Sequence, residues 1–431
     1  MFHPEHSSQP TKSSLVIGMH GVPVKKSPIE RSCTGKPSMS TRGEMSPPRR
    51  RRRTSSPPAS LPDDEDLLQE ILLRLPPRPS SLPRASLVCK LWRRLVAEPQ
   101  FQRRFRDHHH GKPPLLGFFL QDNISCPFVP MLDPPDRIPG ARFSMPPHKR
   151  YRIIDCRHGL VLFSNQRRSP RLFVWEPVAR EKRRLSFPPE LDNGEMYIIN
   201  GAVLRPARGR SSHFQVALIA QDRGNTRVSG CLFSSDTGVW SNIKTLQLDL
   251  TSRCTPQPST LIGNSLCWLI AVHHDHPQYA ILEFDLDTQS LAVTELPPHL
   301  EAGYDQLRII TPGEDGGLGF IHLSRFRAQI WKRKPDCDGL AVWVIDRAIE
   351  FKELRSNCKG YSLTLVGFAE ESNAILVLTA SGVFMVYLHS MEFKKLSNLW
   401  VFCLHYPFAS FYPADIGIGD GDGAGEVLDK M

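Results

Sequence analysis

The chain has 431 residues, 40% of them hydrophobic, with 38 prolines, 10 cysteines and a formal net charge of +10. That length allows two or three domains. No run of about twenty apolar residues is present, which argues against a membrane span, and no C-x-x-C pair occurs, which favours free thiols in a reducing compartment.

Residues 1–60 hold 11 Lys and Arg against 3 Asp and Glu, so +8 of the formal +10 resides there. Rich in Ser and Pro, this segment cannot offset its ordering entropy by burial and is expected to be disordered. The opening MFHPEHSSQP lacks the apolar core of a secretory leader. Arg49, Arg50, Arg51, Arg52 and Arg53 form an unbroken run that reads as a nuclear-import candidate or phosphate-contacting patch. A solvated basic linker is the plainer alternative. Ser46 and Ser56 each precede Pro and Ser55 lies two residues after Arg53, where phosphorylation would tune the charge. No aromatics interleave with the arginines, so nucleic acid is not the expected partner.

Residues 61–101 show helical periodicity. Leu67, Leu68, Ile71, Leu72 and Leu75 make one broad apolar face, an acidic run precedes it, and Pro76 and Pro77 stop it. Asp63 or Asp64 is the expected cap. A second helix is predicted to start at Ser80 or Ser81 and to carry Ala85, Leu87 and Val88, and a third carries Leu91, Trp92, Leu95 and Val96 before Pro99 closes it. Three short helices have too little interior for so many apolar side chains. Each one left wet forgoes roughly 1.5–3 kcal/mol, so a partner or a neighbouring domain must cover them. Residues 102–112 read as a helical linker rich in Arg.

Leu61-Pro62, Ile71-Leu72 with Leu75, and Val88-Cys89-Lys90 with Trp92-Arg93 follow one another in the order of a known motif. The segment resembles an F-box, in the form found in grass F-box proteins. Asp63 to Asp66 makes the spacing after Leu61-Pro62 longer than the common one, a departure that bears on the contact of those two residues. The resemblance implies docking to a Skp-type adaptor, and through it to a cullin, by Leu61, Pro62, Leu68, Ile71, Leu72, Leu75, Leu87, Val88 and Trp92. Cys89 reads as a small packed hydrophobe rather than a nucleophile.

From 113 to 413 the pattern turns strand-like. Strand–turn–strand units are centred near 178, 237, 288, 347 and 390, at intervals of roughly 43–59 residues, the range of propeller blades. Single strands such as 158–163, 213–220, 265–272, 317–323 and 362–368 lie between them, and 374–388 reads as a hairpin broken at Ser381-Gly382. Radially packed sheets bury both faces, so five or six four-stranded blades are expected. Asp155–Pro189 resembles the opening of the β domain attached to many plant F-boxes, and Leu282–Pro298 resembles a kelch-like blade, although the paired glycines of a strict kelch repeat are missing. The fold class expected is therefore α+β multidomain: a small three-helix F-box, then a mainly β, kelch-like propeller domain, with a β-sandwich or barrel as the alternative. Trp175, Trp240, Trp268, Trp331 and Trp343 are assigned to blade packing. Residues 414–431, rich in Gly and Asp, read as a flexible tail.

Catalytic signals are weak. His108-His109-His110 and His273-His274-Asp275-His276 lack Cys or Glu at finger-like spacing. Gly316-Gly317-x-Gly319 lacks the Lys-Ser/Thr of a phosphate loop, and no Gly-x-Ser-x-Gly elbow occurs. No metal, cofactor or catalytic residue is expected. The reading is a non-catalytic substrate receptor of a cullin–RING ubiquitin ligase, holding an unknown target protein on its β domain, in the nucleus and/or cytoplasm. A non-degradative F-box scaffold and a nuclear nucleic-acid binder are the rivals.

Overall fold

A computed structural model describes residues 65–413, apart from 122–125, 144–150, 166–170, 192–193, 207–212, 249–251, 273–277, 299, 301, 313–315, 353–362 and 398–402. Leu61, Pro62, the Asp63 and Asp64 cap candidates, the Arg49–Arg53 run, His273–His276 and both terminal tails lie outside the described residues.

The helical module consists of α1 (Glu65–Leu73), α2 (Ser81–Ser86), α3 (Lys90–Ala97) and α4 (Pro99–His108). Pro99 ends α3 as expected and also opens α4, since a proline at the first helical position loses no backbone hydrogen bond. The core holds Leu68, Leu72 and Leu73 of α1, Leu82 and Ala85 of α2, Leu95 and Val96 of α3, and Phe101 and Phe105 of α4. The expected linker is thus part of the module: α4 closes its interior, and Phe411 of the β domain packs on the same cluster. Ser80 does not cap α2 with its side chain. Its hydroxyl and backbone N–H both donate to Asp136 Oδ1, at 2.6 and 3.0 Å, and so tie the module to the β domain.

Six sheets follow. Strands β1 (Leu115–Gln121) and β2 (Phe128–Pro130) come first in the chain. Blade I is β3 (Tyr151–Arg157), β4 (Leu160–Asn165), β5 (Arg171–Glu176) and β6 (Glu181–Leu185). Blade II is β7 (Met196–Leu204), β8 (Gln215–Asp222), β9 (Arg227–Ser234) and a broken outer strand, β10 (Val239–Trp240) with β11 (Lys244–Gln247). Blade III has a broken inner strand, β12 (Ser252–Cys254) with β13 (Thr260–Ile262), then β14 (Ser265–Val272), β15 (Gln278–Asp285) and β16 (Leu291–Glu295). Blade IV is β17 (Leu307–Ile310), β18 (Gly319–Ser324), β19 (Arg327–Pro335) and β20 (Ala341–Glu350), and blade V is β21 (Thr364–Ala369), β22 (Ala374–Thr379), β23 (Gly382–Tyr387) and β24 (Phe393–Ser397). The last strand, β25 (Leu404–Ala409), pairs with β1 to make blade VI, so the two ends of the domain share one sheet. The result is a six-bladed β-propeller. Every neighbouring pair of blades shares one apolar cluster, so each blade packs against both of its neighbours.

The hairpin from β3 to β4 turns on His158 and Gly159, both at positive φ (54° and 74°), as a two-residue turn that follows strand twist requires. A side chain at Gly159 would also stand 2.9 Å from Ser410 Oγ. The unit centred near 347 departs from the expected hairpin. Ala341–Glu350 is one strand, and the turn lies before it, where Asp336 Oδ1 accepts the N–H groups of Asp338 and Leu340 at 2.9 and 2.8 Å. Asp346, the polar residue that looks like a turn, sits at a register shift opposite Ile330 and Trp331, a β-bulge inside the strand. The tryptophans pack as assigned: Trp175 and Trp268 are buried, and Trp240, Trp331 and Trp343 pack partly buried on their clusters. Trp240 and Trp343 also donate across to the preceding blade, to the Ser186 and Glu295 carbonyls at 2.7 and 2.8 Å.

Ring closure rests on Phe408. It is buried and lies 5.4 Å from the Phe119 and Phe143 rings and 6.1 Å from that of Phe128. Phe408→Ala is expected to cost about 3–5 kcal/mol, read as a lowered urea midpoint at unchanged slope. A loss below about 1 kcal/mol would mean that this cluster does not hold the closing blade.

Candidate functional site

The amphipathic pattern of α1 splits into two faces. Leu68 and Leu72 point into the module and are 1% and 0% exposed, whereas Leu67 and Ile71, one helical step away, are 47% and 43% exposed. At the junction of α2 and α3, Leu87 and Val88 are 74% and 53% exposed. Leu75, Leu91 and Trp92 are half-buried. Two members of the expected docking set are therefore corrected: Leu68 and Leu72 are enclosed by Leu95, Val96 and Phe101 and have no surface to offer a partner. Leu67 lies outside that set and does face solvent. Arg104 straps α4 to α1 through Gln69 Oε1 and Glu70 Oε1 at 2.7 and 2.6 Å, which fixes the outward face of α1.

A second constellation lies on the propeller axis, where the inner strands converge. Arg157, at the end of β3, donates to Asp155 Oδ2 of its own blade at 3.0 Å. It reaches the Ser259 carbonyl and hydroxyl of blade III at 3.0 and 3.3 Å, and Glu370, just after β21 of blade V, at 2.7 and 3.0 Å. Asp155 Oδ2 also accepts the Val203 N–H of blade II at 2.9 Å. Gln257 donates to the Tyr304 and Leu307 carbonyls at 2.6 and 2.8 Å and accepts from Arg308 at 3.4 Å, while Asn200 donates to the Gln257 carbonyl at 2.8 Å. Tyr406 of blade VI donates to the Ile153 carbonyl at 3.0 Å. Burial works against the charge on Arg157, but Asp155 and Glu370 outweigh it and hold the guanidinium above its usual range. Burial pushes the Asp155 carboxyl up to about 6 against the pull of Arg157 and the Val203 amide. Sequence reasoning missed this network. Its one visible trace was Asp155 and Arg157 inside the DCRHG stretch.

His158 and His405 are both pushed down to about 4, chiefly by burial. For each, the folded value lies below the ordinary 6.5, so between 6.5 and 4 the unfolded chain binds more protons than the folded one. Their contribution is complete above 6.5 and is lost as pH falls through 4, while Asp155 acts in the opposite sense between 3.8 and about 6. Urea unfolding between pH 7 and 4.5 is expected to show His405→Gln and His158→Asn each losing less stability on acidification than wild type. Parallel curves for variant and wild type would refute the assignment. Asparagine tolerates the positive φ of position 158.

The two ends of the axis differ. The ends of β3 and β25 and the turn after β5 adjoin the helical module, since His158, Arg180 and Ser410 line one cleft with Leu82 and Phe105. The starts of the inner strands lie at the opposite end. There Tyr197, at the start of β7, and Tyr304, just before β17, are 43% and 42% exposed. Tyr197 feels the charge of Arg253 on β12 and donates to Asn225 Oδ1 at 2.6 Å. Exposed tyrosine with arginine is the composition of protein-binding hot spots. Among the described residues no group of three or more His, Cys, Asp or Glu is placed to hold a metal ion, and no helix is long and apolar enough to cross a membrane. His109 Nε2 lies 2.9 Å from the Leu75 carbonyl, within the module.

Comparison with known proteins gives two family matches. Residues 152–398, more than half of the chain, match the family described as F-box protein AT5G49610-like, beta-propeller, and residues 59–104 match the F-box domain. No curated protein matches the chain. Similar solved structures include a puromycin-hydrolyzing peptidase of Mycobacterium tuberculosis (13% identity, TM-score 0.33, 57% of this chain and 39% of the peptidase). They also include the α-L-arabinofuranosidase Arb93A of Fusarium graminearum (9% identity, TM-score 0.34, 66% of this chain and 86% of that one). A third is an α-L-arabinanase of Penicillium chrysogenum (11% identity, TM-score 0.33, 70% and 88%). The chain thus spans about two fifths of the peptidase's length.

Proposed function

Because this chain belongs to the F-box protein AT5G49610-like β-propeller family, we propose that it is the substrate-recognition subunit of an SCF-type cullin–RING ubiquitin ligase. F-box domains generally bind Skp-type adaptors, and the observation that carries the reading is the set of large apolar side chains, Leu67, Ile71, Leu87 and Val88, left facing solvent on a module whose interior is already full. Adaptor docking removes them from water, with half-buried Leu75, Leu91 and Trp92 at the margin. Leu61 and Pro62 join the contact by resemblance alone.

The target protein docks at the propeller end opposite the helical module, around Tyr197, Tyr304 and Arg253. Ubiquitin transfer takes place on other subunits, and this chain contributes proximity by raising the effective concentration of target lysines. It works in the nucleus and/or cytoplasm, with Arg49–Arg53 as the import signal; deleting residues 1–58 leaves the protein out of the nucleus if that assignment is right.

Reconstitution tests the whole reading. The full chain is mixed with a Skp-type adaptor, cullin and RING subunits, and proteins captured from proteasome-inhibited cells are assayed for ubiquitin transfer. Adaptor capture with chain-dependent transfer to a captured protein is expected. Adaptor capture without any transfer favours the non-degradative scaffold, and no adaptor capture ends both readings.

A further inference from the structure

Between α4 and the propeller lies a cleft of about 1150 Å³ whose walls bring together guanidinium groups from four separate segments. Arg106 comes from α4, Arg142 from the short 3-10 helix Gly140–Phe143, Arg180 from the turn between β5 and β6, and Arg205 from just past the end of β7. Glu176 is the carboxylate among the lining residues, and Arg205 already holds it at 2.6 Å. Arg205 Nε also donates to the His158 carbonyl at 3.1 Å, which fixes the guanidinium in the wall. Arg106 lies beside Arg205, and burial first, then that like charge, lowers its pKa, while Asp107 and Glu176 act in the other direction. His158 accepts the Arg205 N–H at Nδ1 at 3.1 Å, so the neutral ring carries its proton on Nε2 and adds a donor to the lining.

Four cations against one carboxylate, gathered in a cleft of ligand size, is an arrangement that an anion stabilises. Guanidinium forks match phosphate oxygens two at a time, and several forks from different walls suit several closely spaced phosphates better than a single carboxylate. We propose that this cleft binds a small molecule carrying two or more adjacent phosphates, held between α4 on one side and the propeller on the other. Such a ligand joins the adaptor-binding module to the target-binding domain and stiffens the link between them. The site is independent of the docking face described above.

Calorimetric titration of the purified full chain with inorganic tripolyphosphate, at physiological ionic strength, tests the proposal. Saturable one-to-one binding is expected. Arg106→Gln and Arg180→Gln are each expected to weaken it roughly tenfold, the loss of one charge-assisted contact. Arg180 lies on an exposed turn, so its replacement is separable from any effect on folding, which unchanged urea midpoints verify. Equal binding by the variants and wild type overturns the site, as does the absence of binding by the full chain. A chain ending at Pro413, which lines the cleft, adds a further arm. Binding seen only after the acidic residues 414–431 are removed assigns the cleft to the chain's own C-terminal segment and overturns the small-molecule reading. Vesicles bearing a phosphorylated inositol headgroup separate a free ligand from a lipid: vesicle capture lost in the same variants overturns the free-ligand proposal, and no capture upholds it.

Discussion

Ile71→Asp and Leu87→Asp, made singly, are expected to abolish capture of a Skp-type adaptor while leaving the chain's own unfolding free energy within about 0.5 kcal/mol of wild type. Leu72→Ala is expected to do the reverse. The two kinds of position differ only in the direction their side chains face. Leu72 is 0% exposed among Leu68, Leu95 and Phe101, so its truncation leaves a cavity and costs about 2–5 kcal/mol of stability. Ile71 and Leu87 stand outside the buried cluster, at 43% and 74% exposure, yet an aspartate there must be desolvated against an apolar partner without a counter-charge, which costs several kcal/mol. Adaptor pull-down beside urea unfolding of the same preparations separates the two effects. Retained capture by both aspartate variants would show that the exposed leucines are not the docking face. Loss of capture by Leu72→Ala under conditions where it stays folded would return Leu72 to the contact set.

The helical face over residues 67–75 was legible in the sequence because 3.6-residue periodicity marks apolar positions. It does not say which side of a broad stripe turns inward. That depends on α4, which reaches back over α1 through Arg104 and fills the interior with Phe101 and Phe105. The middle strands of the blades were legible too, since both their faces are buried and they read as apolar runs; SLCWLIAV coincides with β14. Apart from that of blade V, where the expected strand at 362–368 overlaps β21, the inner strands were not. They send Asp155, Asn200, Gln257, Arg308 and His405 into the axis, and those polar residues break the pattern by which a strand is recognised. The inner strand of blade III is even split around Gln257. Blade VI was hidden for another reason: β1 and β25 lie almost three hundred residues apart, and local sequence carries no sign of their pairing.

The same axial residues set the second large effect. Arg157→Met is expected to destabilise the propeller by about 3–5 kcal/mol at pH 7, because it leaves the buried Asp155 carboxylate without its counter-charge and removes the joint between blades I, III and V. The loss carries its own pH signature. With the cation gone, the folded-state pKa of Asp155 rises further above its unfolded value, so the penalty is full above that pKa and fades as acidification neutralises the carboxyl. Denaturation at pH 7 and pH 5 is expected to show a smaller gap between variant and wild type at the lower pH. Adding Asp155→Asn is expected to recover part of the loss at pH 7, since the amide oxygen still accepts the Val203 N–H and needs no cation. A double-mutant cycle then yields a coupling of about 1–3 kcal/mol. Additive costs, or a gap that widens on acidification, would rule out a coupled ionic lock. Arg157 stands next to His158, at the end of the axis that adjoins the helical module. Its hydrogen-bond partners, Asp155, Ser259 and Glu370, lie outside both proposed docking faces. Arg157→Met is therefore expected to weaken adaptor capture and target capture together only under conditions that unfold the propeller, and to leave both intact where the ring stays closed.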